Sequence, residues 1–348
     1  MRQALEYWHP ALLSDEVSRK PKAVTLCGHE IVVFRDANGI LSALSDRCPH
    51  RKMRLSLGHV ENDCIVCPYH GYRYDGQGHG TRPGSPDRKI QALSYQVAER
   101  NGVIWIKKKN SHHELPVPAD SEFSLIGVKS YRIEAPFQLL LDNMTELEHT
   151  STVHSIFGFD IDDMKSVETN VATGEDKMHI FYQGPYRKVP FFLKWVTGIG
   201  SSDLFIQTAE IHFEPVNTIY ELIWRNPETS RNRDMKLRFL IFYNPITVRE
   251  SRMFVFSYWN RHGPGLLAFN YLASWVLGKL IDRELRADIR LIESLPPDTE
   301  NLRGNQLSRF DRPLLETRKY IEKIYYSGGV KPPCGSSRCG GERITQRA

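Results

Sequence analysis

Two short cysteine–histidine motifs near the amino terminus constrain this 348-residue chain more than any other feature. Cys48-Pro-His50 is followed after sixteen residues by Cys67-Pro-Tyr-His70 and then by Gly71. Thiolates and imidazoles are strong metal ligands, and here two of each stand on two short loops. The prolines stiffen the loops, while the glycine permits a backbone conformation that a side chain would obstruct. We therefore expect the first part of the chain to fold around a metal centre.

Two kinds of metal centre fit this ligand set. Zinc binds two cysteines and two histidines in a tetrahedral structural site, but zinc fingers usually space the members of each pair more widely than Cys-x-His. The spacing resembles the Rieske signature, in which Cys-x-His and Cys-x-x-His hold a [2Fe-2S] cluster. In such a cluster, Cys48 and Cys67 would bind one iron, and neutral His50 and His70 the other. The motif thus predicts a carrier of single electrons.

Length and composition indicate that such a carrier is only part of the protein. A Rieske module needs about a third of the chain, and this length predicts roughly two domains. Hydrophobic residues make up 41% and charged residues 25%, as in a globular protein with a real core. The net charge of +5 is too small and diffuse to predict nucleic-acid binding. The opening residues lack the apolar segment of a signal peptide, so we expect a cytoplasmic protein.

The four cysteines outside the cluster motifs fall into two pairs. Cys27 and Cys64 lie in apolar, strand-like runs, where a free thiol usually serves as inert packing. Cys334 and Cys339 lie in a tail rich in glycine, serine and arginine, and they could pair or bind a metal. We expect instead that residues 327–348 form a disordered tail with unpaired thiols.

Hydrophobic patterning predicts an α+β protein. Short alternating runs separated by glycine, asparagine and aspartate turns indicate a small antiparallel β domain over residues 1–110. Four longer alternating runs between residues 201 and 260 predict an antiparallel sheet, and helices are expected over 266–295 and 314–326. Residues 111–326 would form this second domain. The apolar start of the first helix is too short for a membrane span, which needs about 20 apolar residues.

A second polar constellation lies at the start of the second domain. On a predicted helix, Asn143, Glu146 and His149 stand three residues apart and would share one face. His154 is five residues beyond His149, which rotates it about 140° away on a straight helix. Both histidines can face one ion only if the helix ends or distorts between them. The intervening residues 150–153 are weak helix formers, so we expect the break there.

A third ligand is predicted on the long helix. Ferrous iron that awaits dioxygen is often held by two histidines and one carboxylate, with open positions left for other ligands. Asp288 lies in the apolar stripe of this helix, where a carboxylate must be paired, neutralised or bound to a metal. Asp282 and Glu284 lie beside the stripe. Alone, such an aspartate is more often a paired structural residue, but the two histidines and the cluster motif favour a metal site.

Taken together, these residues resemble the oxygenase component of the Rieske non-haem iron oxygenases over nearly the whole chain. The resemblance rests on the cluster motif, on Asn143-x-x-Glu146-x-x-His149-x4-His154, and on Asp288-Ile-Arg-Leu-Ile-Glu293. The chain looks most like the aromatic monooxygenase and demethylase branch, whose members are typically homotrimers. The resemblance implies a helix-grip-like catalytic domain and mononuclear Fe(II) on His149, His154 and Asp288. It also places Asn143 and Glu146 among the catalytic residues.

Two positions depart from the family pattern. The resemblance makes Glu146 the acidic bridge between an iron histidine and a cluster histidine of a neighbouring subunit, where most members have aspartate. Tyr72 stands where tryptophan usually follows the His-Gly pair. Neither change affects a predicted ligand, but the longer Glu146 side chain changes the length of the bridge.

The resemblance also implies the reaction. A reductase, directly or through a ferredoxin, would supply electrons, and one atom of dioxygen would enter an apolar, ring-containing small molecule by hydroxylation or by O- or N-demethylation. We expect the pocket, or else plain sheet core, at Ile156, Phe157, Phe205, Ile223, Phe239 and Phe256. Two alternatives remain open: a Rieske electron carrier fused to a ligand-binding domain without oxygenase activity, and a zinc-stabilised structural protein.

Overall fold

The computed structural model describes residues 4–116, 122–189, 199–260, 267–296 and 299–322. The predicted tail 327–348, with Cys334 and Cys339, lies outside the described residues, as does the end of the helix predicted over 314–326. Within them the α+β class is confirmed, because an antiparallel β part is followed by a seven-stranded antiparallel sheet with a few helices. The boundary predicted at residue 110 stays a prediction.

The amino-terminal part contains three antiparallel sheets, with strand orders β1-β11-β10, β2-β3-β4 and β5-β6-β7-β8-β9. Short 3₁₀ helices lie at Ala4–Glu6, Ser14–Glu16 and Leu55–Leu57. The strands are β1 (His9–Leu13), β2 (Lys22–Leu26), β3 (His29–Arg35), β4 (Leu41–Ser45), β5 (His59–Glu61), β6 (Cys64–Val66), β7 (Arg73–Tyr74), β8 (His79–Thr81), β9 (Ile90–Gln91), β10 (Tyr95–Arg100) and β11 (Val103–Lys108).

Cys27 lies in a hairpin turn, although we expected it in a strand. It joins β2 to β3 together with Gly28, and both residues have positive φ, at 49° and 77°, which two-residue hairpin turns require. The side chain is nevertheless buried, and burial raises the pKa of its thiol to about 12. Cys64 begins β6, and partial burial together with Asp63 raises its pKa to about 11. Both shifts disfavour the reactive thiolate, which agrees with a packing role for these thiols.

The second sheet has the strand order β12-β18-β17-β16-β15-β14-β13, and every neighbouring pair is antiparallel. The four predicted runs form its last four strands. The first three strands escaped prediction, because one is interrupted by a register shift before Gly127 and another is a polar edge strand. The strands are β12 (Phe123–Ile133), β13 (Glu168–Thr173), β14 (Lys177–Pro185), β15 (Leu204–Phe213), β16 (Val216–Arg225), β17 (Asn232–Thr247) and β18 (Glu250–Asn260).

Helices cover the inner face of this sheet. They are α1 (Phe137–Thr145), α2 (Thr150–Val153), α3 (Leu267–Glu293) and α4 (Arg312–Ile321), with a 3₁₀ helix at Ile161–Ser166. The helix α3 matches its prediction within two residues at each end. It packs along β12 and α1, and α4 packs against α1. An ion pair between Asp142 and Arg318 joins α1 to α4, with Arg318 Nε at 3.0 and 3.1 Å from the two carboxylate oxygens.

The amino-terminal part packs on the outer face of the same sheet. The ring of Trp105 from β11 lies 5.0 Å from that of Phe242 and 5.7 Å from that of Phe256. All three side chains are fully buried in one cluster with Trp8. The sheet therefore contacts the amino-terminal part with its outer face and the helices with its inner face. No helix in the described part of the chain is both long and apolar enough to cross a membrane.

Candidate metal centres and substrate cavity

Two loops of the amino-terminal part carry the four cluster residues. Cys48 and His50 follow β4, while Cys67 and His70 lie between β6 and β7. Both cysteines are buried, and both histidines are exposed. The imidazole rings face each other with centroids 4.6 Å apart, and the hydroxyl of Tyr74 lies 3.2 Å from the Cys48 sulfur. The thiols thus point into the domain, and the imidazoles form an edge at its surface.

The two loops contain the same backbone turn. Four residues after each cysteine, a left-handed residue donates its N–H to the cysteine carbonyl: Lys52 to Cys48 at 2.8 Å, and Gly71 to Cys67 at 3.1 Å. Their φ values are 60° and 68°. Glycine adopts this conformation freely, whereas lysine pays roughly 1–2 kcal/mol for it. The same turn therefore presents the histidine in both loops.

The arrangement fits a two-iron cluster better than a single zinc ion. One tetrahedral zinc would draw its ligand atoms to within about 4 Å of one another. The two thiols contact each other, and the two imidazoles pair separately. Among the described residues, these four do not form one group within 4.8 Å, whereas the His149 site below does. Desolvation and the neighbouring charges of His70, Arg51 and Arg82 lower the pKa of His50, which favours the neutral imidazole that a metal needs.

The helix that carries the second group of polar residues ends earlier than predicted. We expected Asn143, Glu146 and His149 on one helix, but α1 ends at Thr145 and Glu146 is extended. The break expected over residues 150–153 is instead the single helical turn α2, with His149 at its start and His154 at its end. One turn between the two histidines brings both rings to the same side, with centroids 5.3 Å apart.

Asp288 of α3 meets both imidazoles. Its Oδ1 lies 2.9 Å from His154 Nε2 and 3.5 Å from His149 Nε2, and the ligand atoms of the three residues lie within 4.8 Å of one another. The carboxylate is only 2% exposed. A buried carboxylate between two nitrogens that can bind metal is a suitable donor set for ferrous iron, with positions left open. The three predicted ligands are thus brought together.

Glu146 orients His149 from the other side of the ring. One carboxylate oxygen is hydrogen-bonded to His149 Nδ1, and the other accepts the His149 backbone N–H at 3.3 Å. This leaves Nε2 for the shared point near Asp288. Burial lowers the pKa of His149, but the bond to Glu146 and the charges of Glu146 and Asp288 raise it overall. Such a carboxylate partner fixes the ring orientation of a metal-binding histidine.

Glu284 is the main residue that the sequence reasoning missed. It lies beside the apolar stripe of α3, yet it is only 4% exposed. Its carboxylate accepts hydrogen bonds from the Ser155 N–H at 2.8 Å, from the Ser155 hydroxyl at 2.6 Å and from the Ile156 N–H at 3.4 Å. These groups follow His154 directly. The helix that supplies Asp288 therefore also holds the backbone next to a second predicted ligand.

Asn143 is buried on α1, one turn before Glu146. Its side-chain oxygen has no hydrogen-bond partner among the described residues, and it does not line the cavity described next. Its catalytic role stays a prediction.

A cavity adjoins the three converging groups. Its volume is about 100 Å³, which is small beside the roughly 300–1,000 Å³ of typical ligand sites. The walls are mainly apolar and come from α1, the loop after His154, the inner face of the sheet and α3. They include Met144, Phe157, Leu222, Phe239, Ile241 and Leu285. The space is suitable for a small ring compound beside the metal ligands.

Of the predicted pocket residues on the sheet, some face the cavity and others face the opposite side, depending on their position along the strand. Phe157 and Phe239 line the cavity, with ring centroids 6.3 Å apart. Phe205 faces inward but packs deeper, against Phe159. The predictions that Ile223 and Phe256 line the pocket were wrong, because both side chains point to the opposite face of the sheet. In β18, Val255 pairs with Ile241, whose side chain faces inward, so the next residue, Phe256, faces outward. A shift of one residue reverses the face, and short apolar runs leave that choice open. The side chain of Ile156 is also absent from the described lining.

Comparison with known proteins gives two matches that together cover most of the chain. Residues 7–94 match the family model of the Rieske [2Fe-2S] domain. Residues 133–324 match the model of the vanillate O-demethylase oxygenase C-terminal domain. The second match covers more than half of the 348 residues.

Individual proteins show the same similarity. The vanillate O-demethylase oxygenase subunit of Pseudomonas sp. (strain HR199 / DSM 7063) is 31% identical over 209 residues, which is 56% of this chain and 58% of that protein. The oxygenase component of dicamba O-demethylase from Stenotrophomonas maltophilia is 30% identical over 193 residues, 51% of this chain and 55% of that protein. The chain thus spans a little over half the length of these relatives. The crystal structure of dicamba monooxygenase bound to 3,6 dichlorosalicylic acid superposes with a TM-score of 0.74 at 22% identity, covering 92% of this chain and 97% of that one.

Proposed function

The chain belongs to the Rieske oxygenases that carry the vanillate O-demethylase oxygenase C-terminal domain, and from this membership we propose that it is a terminal oxygenase. It would hydroxylate an apolar ring-containing small molecule or remove an O- or N-methyl group from it. The observation that carries the proposal is the convergence of His149, His154 and Asp288 at one end of an apolar cavity. A Rieske carrier without oxygen chemistry has no use for such a centre.

Each cofactor has a set of residues that fits it. Cys48, His50, Cys67 and His70 would hold the [2Fe-2S] cluster, and His149, His154 and Asp288 would hold Fe(II). When bound, the cluster supplies single electrons, and the ferrous ion supplies positions where dioxygen can react. The chain's own contribution is to bury the thiols, to orient the His149 ring through Glu146, and to exclude water from the cavity with apolar walls.

The overall reaction balances with an external electron donor. One oxygen atom enters a C–H bond of the substrate, and two electrons and two protons convert the other atom to water. When that carbon is a methyl group on oxygen or nitrogen, the hydroxylated product breaks down to formaldehyde and the free hydroxyl or amine. A reductase, acting directly or through a ferredoxin, would be the donor.

The exposed imidazole edge supports a homotrimer. His50 and His70 lie at the surface, whereas Glu146 and His149 line the cavity of the catalytic part. Transfer between subunits, with Glu146 as the bridge, would bring the two centres together. Light scattering of the purified protein should then give about three times the 40.1 kDa chain mass. A monomer that turns over at the full rate would contradict this part of the proposal.

Oxygen uptake tests the activity directly. The purified protein, with reductase, would be given methoxylated aromatics, N-methyl heterocycles and steroid-like rings. We expect at least one of these classes to stimulate oxygen consumption and to release a hydroxylated or demethylated product. Anaerobic metal analysis separates the alternative: the oxygenase holds three irons per chain and the simple carrier two. Two irons with no product would refute the proposal.

A further inference from the structure

The polar groups that line the cavity are almost all engaged by the protein itself. Glu146 is bonded to His149, Glu284 to the backbone after His154, and the Thr150 hydroxyl donates to the Leu147 carbonyl at 2.8 Å. The Tyr220 hydroxyl donates to the Met144 carbonyl. These carboxylates and hydroxyls are therefore already bonded within the protein.

Gln207 differs from these groups. It lies on β15, where it pairs with Leu222 and points to the inner face, between the buried Phe205 and Ala209. Its side chain lines the cavity and is half-buried, and its amide makes no hydrogen bond to the described residues. An amide offers two donors and one acceptor oxygen. It can therefore bind a complementary polar group of a ligand without breaking a bond within the protein.

The charge of the cavity restricts what that ligand can be. Three carboxylates line it, from Glu146, Glu284 and Asp288, and Arg283 Nε lies 3.9 Å from the Glu284 carboxylate. No lysine or arginine is among the described residues of the lining. An anionic substituent would therefore enter a largely apolar space that offers it no side-chain cation, and an unpaired charge is costly there.

We infer that the cavity selects uncharged ring compounds that carry one hydrogen-bonding group, such as a carbonyl, an amide or a hydroxyl, and that Gln207 recognises this group. The inference rests on the proposed function only in treating the cavity as the substrate site. The apolar walls take the ring, and the Gln207 amide fixes its orientation relative to the metal ligands. Gln207 is thus a specificity-determining residue, while His149, His154 and Asp288 form the reacting centre.

Binding measurements on the anaerobic, iron-loaded protein without reductant test this inference. Three ligands of nearly equal shape would be compared by calorimetry: 4-methoxybenzamide, 4-methoxybenzoate and 4-methyl anisole. At neutral pH we expect the amide to bind at least tenfold more tightly than the carboxylate. Gln207→Leu should weaken binding of the amide about tenfold, as expected for one hydrogen bond, and leave that of 4-methyl anisole unchanged.

Gln183→Leu is the matched control, because Gln183 lies on the neighbouring β14 and pairs with the outward-facing Ile206. It should change none of the three affinities. Tighter binding of the carboxylate than of the amide, or no binding of the amide at all, would overturn the inference. So would equal losses for the amide and the anisole in Gln207→Leu. Since no turnover is involved, these results are independent of the oxygen-uptake experiment.

Discussion

At the scale of single residues, the site combines three side chains that could bind metal with one carboxylate that orients one of them. Asp288 meets His154 Nε2 at 2.9 Å, and Glu146 meets the far side of the His149 ring. Glu146 fixes the orientation of the His149 ring and raises its basicity, whereas His154 Nδ1 has no such partner among the described residues. Replacing a predicted ligand should therefore remove the iron, whereas replacing the orienting carboxylate should leave the iron bound and slow the reaction.

His154→Ala should remove mononuclear iron and product formation while leaving the cluster spectrum unchanged. The imidazole is a predicted ligand of the mononuclear iron, and the cluster loops belong to the separate amino-terminal part. Iron content should fall from three to two per chain, as measured by metal analysis, and the visible spectrum should stay constant. His179→Ala is the control, because that ring lies on β14 beside Glu210, at 3.3 Å. Loss of the cluster, or retained product, would contradict the assignment.

Glu146→Gln should keep both metals but slow electron transfer by roughly a hundredfold. An amide cannot replace an acceptor-only carboxylate that faces an imidazole N–H. Glu146→Asp keeps the charge, shortens the side chain by one methylene, and should retain most of the rate. Single-turnover measurements on the pre-reduced protein compare the two variants. Equal rates for glutamine and glutamate would rule out the bridge.

At the scale of elements, α3 is the part that organises the catalytic half. Its apolar stripe packs on the core, Asp288 faces the histidines, and Glu284 holds the segment after His154. The sequence could predict Asp288, because a charge within an apolar stripe needs an explanation. It could not predict the Glu284 contact, because that contact depends on a loop 129 residues away that no periodicity reveals.

Glu284→Gln should weaken iron binding roughly 10- to 100-fold, the usual effect of losing an outer partner of a metal site. Glutamine keeps one acceptor oxygen but loses the other, so the two backbone N–H groups and the Ser155 hydroxyl cannot all be satisfied. Competition with a coloured chelator would measure the affinity. Glu293→Gln on the same helix, at an exposed position, should have no effect. Equal iron affinity in both variants would show that Glu284 does not position the site.

A second α3 contact predicts a pH dependence. The Asp282 carboxylate accepts hydrogen bonds from the Tyr131 hydroxyl at 2.6 Å and from Arg286 Nε at 2.9 Å. Partial burial raises the pKa of Asp282, but these two partners lower it overall. Because the folded pKa lies below the ordinary value, this contribution is complete above about pH 4 and is lost as the pH falls through the folded pKa.

Asp282→Asn should therefore lower the free energy of unfolding by about 1 kcal/mol at pH 7, and by less as the pH drops towards 3. Denaturant unfolding of both proteins at several pH values gives the difference directly. A deficit that stays constant down to pH 3 would show that the charge of Asp282 does not contribute.

At the scale of the whole molecule, one face of the seven-stranded sheet packs against the amino-terminal part and the other face lines the cavity. Four of its strands could be predicted, because their alternation is strong, yet the face of each residue could not. Phe256 and Phe239 look alike in the sequence, but Phe256 packs on Trp105 of the amino-terminal part, and Phe239 lines the cavity. Both faces are apolar near the interface, so alternation does not distinguish outward from inward.

Phe256→Ala tests this division of the sheet, because it should weaken the packing of the sheet against the amino-terminal part without changing the cavity lining. Truncation of a fully buried phenylalanine costs about 3–5 kcal/mol. The midpoint of denaturant unfolding should therefore fall strongly, and the visible cluster absorbance should disappear before the far-ultraviolet signal of the catalytic sheet.

Phe181→Ala is the matched control on the same outer face, since Phe181 is half-buried on β14 and lies outside the contact with Trp105. It should cost about 1 kcal/mol, in proportion to the smaller area buried. If both variants unfold alike, with cluster and sheet lost together, the stability of the cluster domain does not depend on this face of the sheet.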